Sequence, residues 1–293
     1  MIRNQYFYEN NLFRIDWWMG NNCNYNCSYC HPGLKNNTIP WPNFEIVSKF
    51  LYDFVEKWKR KDNRTIWMQI GGGEISLWND LIPFAKLCHE LGILLVLRTN
   101  GNKPSLFYKK LLPYVDHITF GFHPEYSNKY QYLLLIKELY ALNLRNFNLQ
   151  LYWYHHNNET TLLELESFFL EKANIILDRH LVFYDPISNK NPVPMSSKNE
   201  NNIIMDEFST NIEYLFQNGL NKFQGYHCSA GIEQIIIDAW GKIYRGHCRQ
   251  GNIIGTIDGE WELPNDYIIC PKELCSNYFD IQSSKSISKD ELF

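Results

Sequence analysis

Short apolar, strand-like runs alternate with amphipathic helical patterns along roughly the first 185 residues, and no other feature of the chain narrows its fold as much. The runs fall at 12–18, 65–70, 93–98, 117–122, 146–152 and 180–184, and the helical patterns near 44–60, 79–91, 104–112, 129–142 and 159–172. Glu45, Val47, Phe50, Leu51, Phe54 and Val55 repeat with the 3.6-residue period of a helix that buries one face. Six strands separated by helices of this length predict right-handed βαβ crossovers and a parallel sheet. Repetition alone fits an open doubly wound sheet or a barrel.

The pattern then changes. Residues 186–202 are rich in Ser, Asn, Lys and Pro and have no periodicity, which predicts a linker or surface loop. A helix is expected over 205–218, ended by Gly219. Gln234–Ile237 and Lys242–Tyr244 flank Asp238-Ala239-Trp240-Gly241, the arrangement of a β-hairpin. The expected organisation is a domain over 1–185, a linker and helix over 186–219, and a small unit over 220–293.

Composition excludes several classes. With 45% hydrophobic and 20% charged residues the chain is globular. A net charge of −4 and a pI near 6.1 offer no footprint for nucleic acid or an anionic membrane. No apolar run reaches the ~18 residues of a membrane span, and the start lacks a secretory h-region, so a soluble cytoplasmic protein is expected. In that compartment eight cysteines point to metal and not to disulfides.

Cys23, Cys27 and Cys30 have the spacing C-x3-C-x2-C directly after the first strand run. Three thiolates on a [4Fe–4S] cubane leave the fourth iron open to another ligand. A zinc site completed by His31, or three ordinary cysteines, are the alternatives on spacing alone. The second run ends in Gly71-Gly72-Gly73-Glu74 and the third in Thr99-Asn100-Gly101. Ligands bind at this end of βα folds, and glycines there let one approach the backbone. Cys88, in a helical pattern, is expected to be a buried small residue. His123, His155 and His156 stand at strand ends as candidate acids or bases, His123 being a weak catalytic candidate.

At these residues the sequence resembles the radical S-adenosylmethionine (SAM) superfamily, with Cys23, Cys27, Tyr29 and Cys30 matching C-x3-C-x-aromatic-C and Gly72, Gly73 and Glu74 matching the GGE motif. The resemblance implies an α/β fold, a partial (β/α)6 TIM-like barrel. It implies that Cys23, Cys27 and Cys30 hold a [4Fe–4S] cluster whose open iron is chelated by SAM. Reductive cleavage of SAM would then give methionine and a 5′-deoxyadenosyl radical that abstracts hydrogen from substrate. Tyr29 would lie near adenine, and Gly72, Gly73 and Glu74 near the methionyl amino group, with Gly71 a further cofactor-binding candidate. Thr99, Asn100 and His123 are further cofactor-binding candidates by position in the barrel. An external reductant such as flavodoxin or ferredoxin is also implied.

Cys228, Cys248, Cys270 and Cys275 surround the hairpin and the loops after it. Four thiolates there can close a structural zinc or a fully ligated [4Fe–4S] cluster. Beside the first motif they resemble the twitch domain, a shorter relative of SPASM, which implies a small C-terminal iron–sulfur domain with one auxiliary [4Fe–4S] cluster. Six residues separate Gly241 from Cys248, more than is usual after that turn, and His227 and His247 are alternative ligands.

The function expected is therefore a radical SAM oxidoreductase or isomerase. A non-catalytic iron–sulfur carrier and a zinc-dependent nucleic-acid-binding protein are the other classes weighed. Only about eleven residues precede the first strand, too few for a leader-capturing winged helix, so a small molecule, such as a carbohydrate or nucleotide conjugate, is favoured over a ribosomal peptide. The 9 Trp, 19 Tyr and 18 Phe include several in strand runs that could wall a cavity, though most are expected to be core.

Overall fold

A computed structural model describes residues 5–30, 32–142, 147–153, 159–173, 178–181, 215, 219–277 and 279–289. The expected linker at 186–202, His31, His155 and His156 lie outside these residues, as does the expected helix at 205–218 apart from Leu215.

The chain opens with a short helix α1 (Gln5–Glu9) and then alternates strands and helices. These are β1 (Leu12–Trp18), α2 (Phe44–Lys61), β2 (Thr65–Gly71), α3 (Leu81–Leu91), β3 (Leu94–Thr99), α4 (Ser105–Leu111), β4 (His117–Phe122), α5 (Lys129–Ala141), β5 (Phe147–Trp153), α6 (Glu159–Ala173) and β6 (Asp178–Leu181). β1 to β6 lie side by side in chain order, every pair parallel. This is the architecture of a partial TIM-like barrel. The sixth strand begins two residues before the run expected from sequence.

Side chains alternate across β1. Phe13, Ile15 and Trp17 pack in the layer between sheet and helices, where Trp17 meets Phe50 and Phe84 edge-on and Phe13 lies 4.1 Å from Trp58. Arg14 and Asp16 face the other side and are buried too, so both faces of this strand are covered. α1 lies on that second face, with Phe7 against Trp67 of β2 at 5.2 Å and the Arg14 guanidinium 4.7 Å over the Phe7 ring. α2 begins at Asn43, whose side chain accepts from the backbone of Glu45 and Ile46, and ends in Lys59, Arg60 and Lys61, favourable charges for that end of the helix dipole.

The C-terminal portion is built into the same sheet. β7 (His227–Cys228) is followed by β8 (Gln234–Ile237) and β9 (Lys242–Tyr244), the expected hairpin, with Asp238 Oδ1 accepting from the backbone of Trp240 and Lys242 at 3.0 Å each. β8 pairs parallel with β1, from Arg14 opposite Gln234 to Trp17 opposite Ile237. With β10 (Gly255–Thr256) beyond β9, the sheet runs β10-β9-β8-β1-β2-β3-β4-β5-β6. A second small sheet joins β7 to β11 (Ile268–Ile269) on one side and β12 (Lys285–Ser286) on the other, with Cys228 in its middle strand. Among the described residues no helix is long and apolar enough to cross a membrane.

Candidate functional site

The loop after β1 is held from four sides. Met19 donates to the carbonyl of Gly71, Glu74 donates to that of Asn22, and the Asn100 side chain reaches Asn24 Oδ1 at 2.9 Å. Asn21 bonds Thr38 Oγ1 and the Gly33 carbonyl, both at 3.1 Å, and also Asn36, while Asn37 Oδ1 accepts from Cys23 N at 2.8 Å. From the end of β4, Glu125 accepts from Ser28 N at 2.7 Å and the Tyr126 hydroxyl donates to the Asn26 carbonyl at 3.0 Å. The side chains of Asn21, Asn22, Asn36 and Asn37 serve this loop as local hydrogen-bonding partners, the use for which Asn is suited in turns.

This scaffold presents Cys23, Cys27 and Cys30 together. Burial pushes the Cys27 thiol up to about 11, and the nearness of Glu125, Cys23 and Cys30 adds to it. Burial likewise raises Cys23, with Glu74 and Cys30 contributing, and Cys30. Thiols this close and this desolvated favour the protonated form, and a bound metal is one cation that would stabilise their thiolates. Among the described residues no three His, Cys, Asp or Glu side chains converge as a single ion requires. A cubane holds its thiolates wider apart than one ion does.

The Gly-rich turn at the end of β2 packs directly beneath this loop. Gly72 and Gly73 have φ of 96° and 54°, and a Cβ on either would strike backbone, that of Gly20 at the first and Asn22 at the second. At Gly71 a Cβ meets no atom within 4 Å. Glu74, 2% exposed, is fully engaged: its carboxylate accepts from Ser76 N at 3.0 Å, Thr99 Oγ1 at 2.6 Å and Asn100 N at 2.6 Å. Glu74 thus clamps the ends of β2 and β3, and brings Thr99 and Asn100 beside the cysteine loop.

Tyr29 and His123 form the opposite wall. The Tyr29 ring is 3% exposed and lies nearly parallel to His123, its hydroxyl 2.7 Å from Nδ1. His123 Nδ1 also lies 3.8 Å from Cys27 Sγ. Burial lowers the imidazole to about 4, so His123 is neutral at physiological pH. Tyr25 stacks on Tyr126 at 5.4 Å and closes the outer side. Sequence reasoning did not single out Glu125 or Tyr126; their signal was position, two and three residues past the histidine at the end of a strand.

Of the C-terminal cysteines, Cys228, Cys270 and Cys275 lie near one another, and Cys248 lies near Cys228. Cys228 and Cys275 are buried and Cys248 and Cys270 half-buried. Burial pushes the Cys248 and Cys275 thiols up to about 12 each, and Cys228 up as well. Cys228 adds to the rise at Cys248 and Cys275, and Cys270 to that at Cys228 and Cys275. Asp280 accepts from the backbone N–H groups of His247 at 2.8 Å and Cys248 at 2.6 Å. The His247 ring bonds Asp16 at 2.6 Å. Cys88 is fully buried in α3, apart from both sets, as expected.

No family model matches the chain, and no curated protein matches it. Solved structures do. The chain is similar to anSMEcpe with bound AdoMet, at TM-score 0.54 and 14% identity, over 85% of this chain and 79% of that one. It is similar to Streptococcus suis SuiB bound to S-adenosylmethionine, at TM-score 0.50 and 12% identity, over 87% of this chain and 64% of SuiB. BtrN in complex with AdoMet and 2-DOIA aligns at TM-score 0.46 and 12% identity, over 84% and 78%. The chain has the fold of radical SAM enzymes, in keeping with the resemblance carried by its motifs.

Proposed function

We propose that this protein is a radical SAM enzyme in which Cys23, Cys27 and Cys30 hold a [4Fe–4S] cluster with one iron open to S-adenosylmethionine. The observation that carries the reading is the seating of the three-thiol loop on the glycine turn of β2, where Gly72 and Gly73 admit no side chain. When bound, the cluster supplies the electron for reductive cleavage of SAM. The backbone of the Gly71, Gly72 and Gly73 turn offers polar groups to the methionyl end. Tyr29 and neutral His123 form an aromatic wall that excludes water from the cluster side.

The substrate proposed is a small, hydrogen-bonding molecule, with ribosomal peptide modification as the alternative. Support comes from the face of the sheet opposite α2 and α3, which carries Asp16, Gln69, Thr119 and Gln150. Among the described residues Gln150 Oε1 is buried there with no hydrogen-bond partner, as an acceptor awaiting a donor group would be. SuiB has also been solved bound to the precursor peptide SuiA, at TM-score 0.50 and 10% identity to this chain.

Cys228, Cys248, Cys270 and Cys275 are proposed to ligate an auxiliary [4Fe–4S] cluster fully, leaving it to move electrons in oxidative or redox-neutral turnover. The alternatives are a cluster or zinc that only holds the fold. Anaerobically reconstituted protein with reductant and SAM should yield 5′-deoxyadenosine and contain about eight irons per chain. An intact cluster without that product would overturn the enzyme reading. A modified peptide, found by comparing intact masses and metabolites in cells with and without the protein, would overturn the small-molecule preference.

A further inference from the structure

Lys285 lies where a lysine is costly. It is 1% exposed, and its backbone stands opposite Cys228 in the register of β7 with β12. Its ammonium donates to the carbonyls of Asp280 at 2.7 Å and Ser283 at 2.9 Å, and sits 5.2 Å over the Phe223 ring. Phe223 in turn packs with Cys275. Among the described residues no carboxylate oxygen comes within ion-pair distance of this nitrogen; the nearby Asp280 carboxylate is occupied by the backbone N–H groups of His247 and Cys248 and the side chain of Gln234. Carbonyl dipoles and a ring face satisfy the hydrogens of a buried ammonium without neutralising its charge.

A buried cation persists where an anion faces it. Cys228 and Cys275 are the thiols Lys285 stands beside: its backbone pairs opposite Cys228, and the Phe223 ring under its ammonium packs with Cys275. A cubane ligated by four thiolates carries net negative charge and becomes more negative on reduction. A fixed cation beside it therefore favours the reduced form, as cluster environment generally sets potential. Among the described residues Arg14, also 1% exposed, is a second buried cation near Cys228, and its guanidinium is held by Gln234 and Gln282.

We propose that Lys285 is the counter-cation of the auxiliary site and raises the reduction potential of the cluster bound by Cys228, Cys248, Cys270 and Cys275. This inference rests on the reading that those four residues bind an iron–sulfur cluster. It gives the second centre a task consistent with that reading, since an electron acceptor must hold its reduced state.

The test uses the full chain with Cys23, Cys27 and Cys30 replaced by Ala, so that only the auxiliary cluster contributes, with iron analysis and an anaerobic potentiometric titration followed by electron paramagnetic resonance. Lys285→Met should keep about four irons and lower the equilibrium constant for reduction at least tenfold, about 59 mV for one electron. Lys285→Arg should restore the parent potential. A Met variant with its cluster intact and its potential unchanged would overturn the proposal. If the Met variant binds no iron, the Arg variant decides: a cluster at the parent potential supports the role of charge, and loss of iron there too overturns it. A parent chain without an auxiliary cluster would instead overturn the underlying reading, and this inference with it.

Discussion

His247 donates through Nε2 to the Asp16 carboxylate at 2.6 Å, joining the residue beside Cys248 to the first strand of the barrel. Burial alone would lower His247, but the Asp16 carboxylate, by hydrogen bond and charge, holds the imidazole above its ordinary range. The pair lies on the face of β1 where β8 adds to the sheet, so the C-terminal portion is fastened to the barrel by side chains as well as by strand pairing. Asp16→Ala would leave a buried imidazole without its acceptor. We expect it to cost the metal-free protein about 1–3 kcal/mol, read from urea denaturation. An unchanged denaturation midpoint and slope would show that strand pairing alone fastens the two parts.

The glycine turn makes a graded prediction. Gly72→Ala and Gly73→Ala each force a side chain into a left-handed backbone and against Gly20 or Asn22, and should lose about 1–3 kcal/mol of stability together with most 5′-deoxyadenosine formation. Among the described residues the methyl of Gly71→Ala meets no atom within 4 Å. It should melt as the parent does while raising the KM for SAM, because the methyl would intrude where the methionyl end is proposed to bind. Equal melting temperatures for all three variants would refute the assigned strain; an unchanged KM in Gly71→Ala would move SAM away from this turn.

The strand ends and the two cysteine sets were legible in the sequence because each rests on a local signal. β1, β4 and the hairpin β8–β9 occupy the expected residues, set by runs such as Ile235, Ile236 and Ile237 and by the Asp238 to Gly241 turn. What local pattern cannot carry is pairing between distant segments. The place of β8 beside β1, the Asp16–His247 contact and the clamp formed by Glu74 all join residues at least 25 positions apart. Glu74 illustrates the gap: its motif implies a place near the methionyl amino group, but nothing in it tells that its carboxylate also accepts from Ser76, Thr99 and Asn100.

That arrangement is itself testable. All three partners of the Glu74 carboxylate are donors, so Glu74→Gln replaces an acceptor oxygen with an amide that must face a donor. A loss of about 1–3 kcal/mol in the metal-free protein is expected, greater than for Asp53→Asn in the exposed ion pair with Lys57, which should cost no more than about 1 kcal/mol. Equal losses for the two would show that Glu74 is not the clamp described.

The two cysteine sets should separate by readout. Cys23→Ala, Cys27→Ala or Cys30→Ala should remove 5′-deoxyadenosine formation at least a hundredfold while leaving the C-terminal cluster's spectrum. Cys270→Ala with Cys275→Ala should preserve SAM cleavage and stop product formation. Normal product from folded protein without the second cluster would show the electron-transfer role to be wrong.

The foot of the barrel supplies a pH dependence. Asp62, the residue after α2, accepts from Arg64 Nη2 at 2.7 Å, and Arg64 also donates to the Ile232 carbonyl at 2.7 Å, which anchors the segment before β8. Burial tends to raise Asp62, but the hydrogen bonds and charge of Arg64 outweigh it and hold the carboxyl below the usual range. A carboxyl whose pKa is lower in the folded protein than in the unfolded chain stabilises the fold above the unfolded value, about 3.9, and loses that contribution as the pH falls through the folded value. The parent should therefore be more stable than Asp62→Asn at pH 7, and the gap should close as the pH drops below about 4. Urea midpoints for both proteins from pH 7 down to pH 3 measure it. A gap that is constant across this range would assign the Asp62 contribution to packing and not to its charge on Arg64.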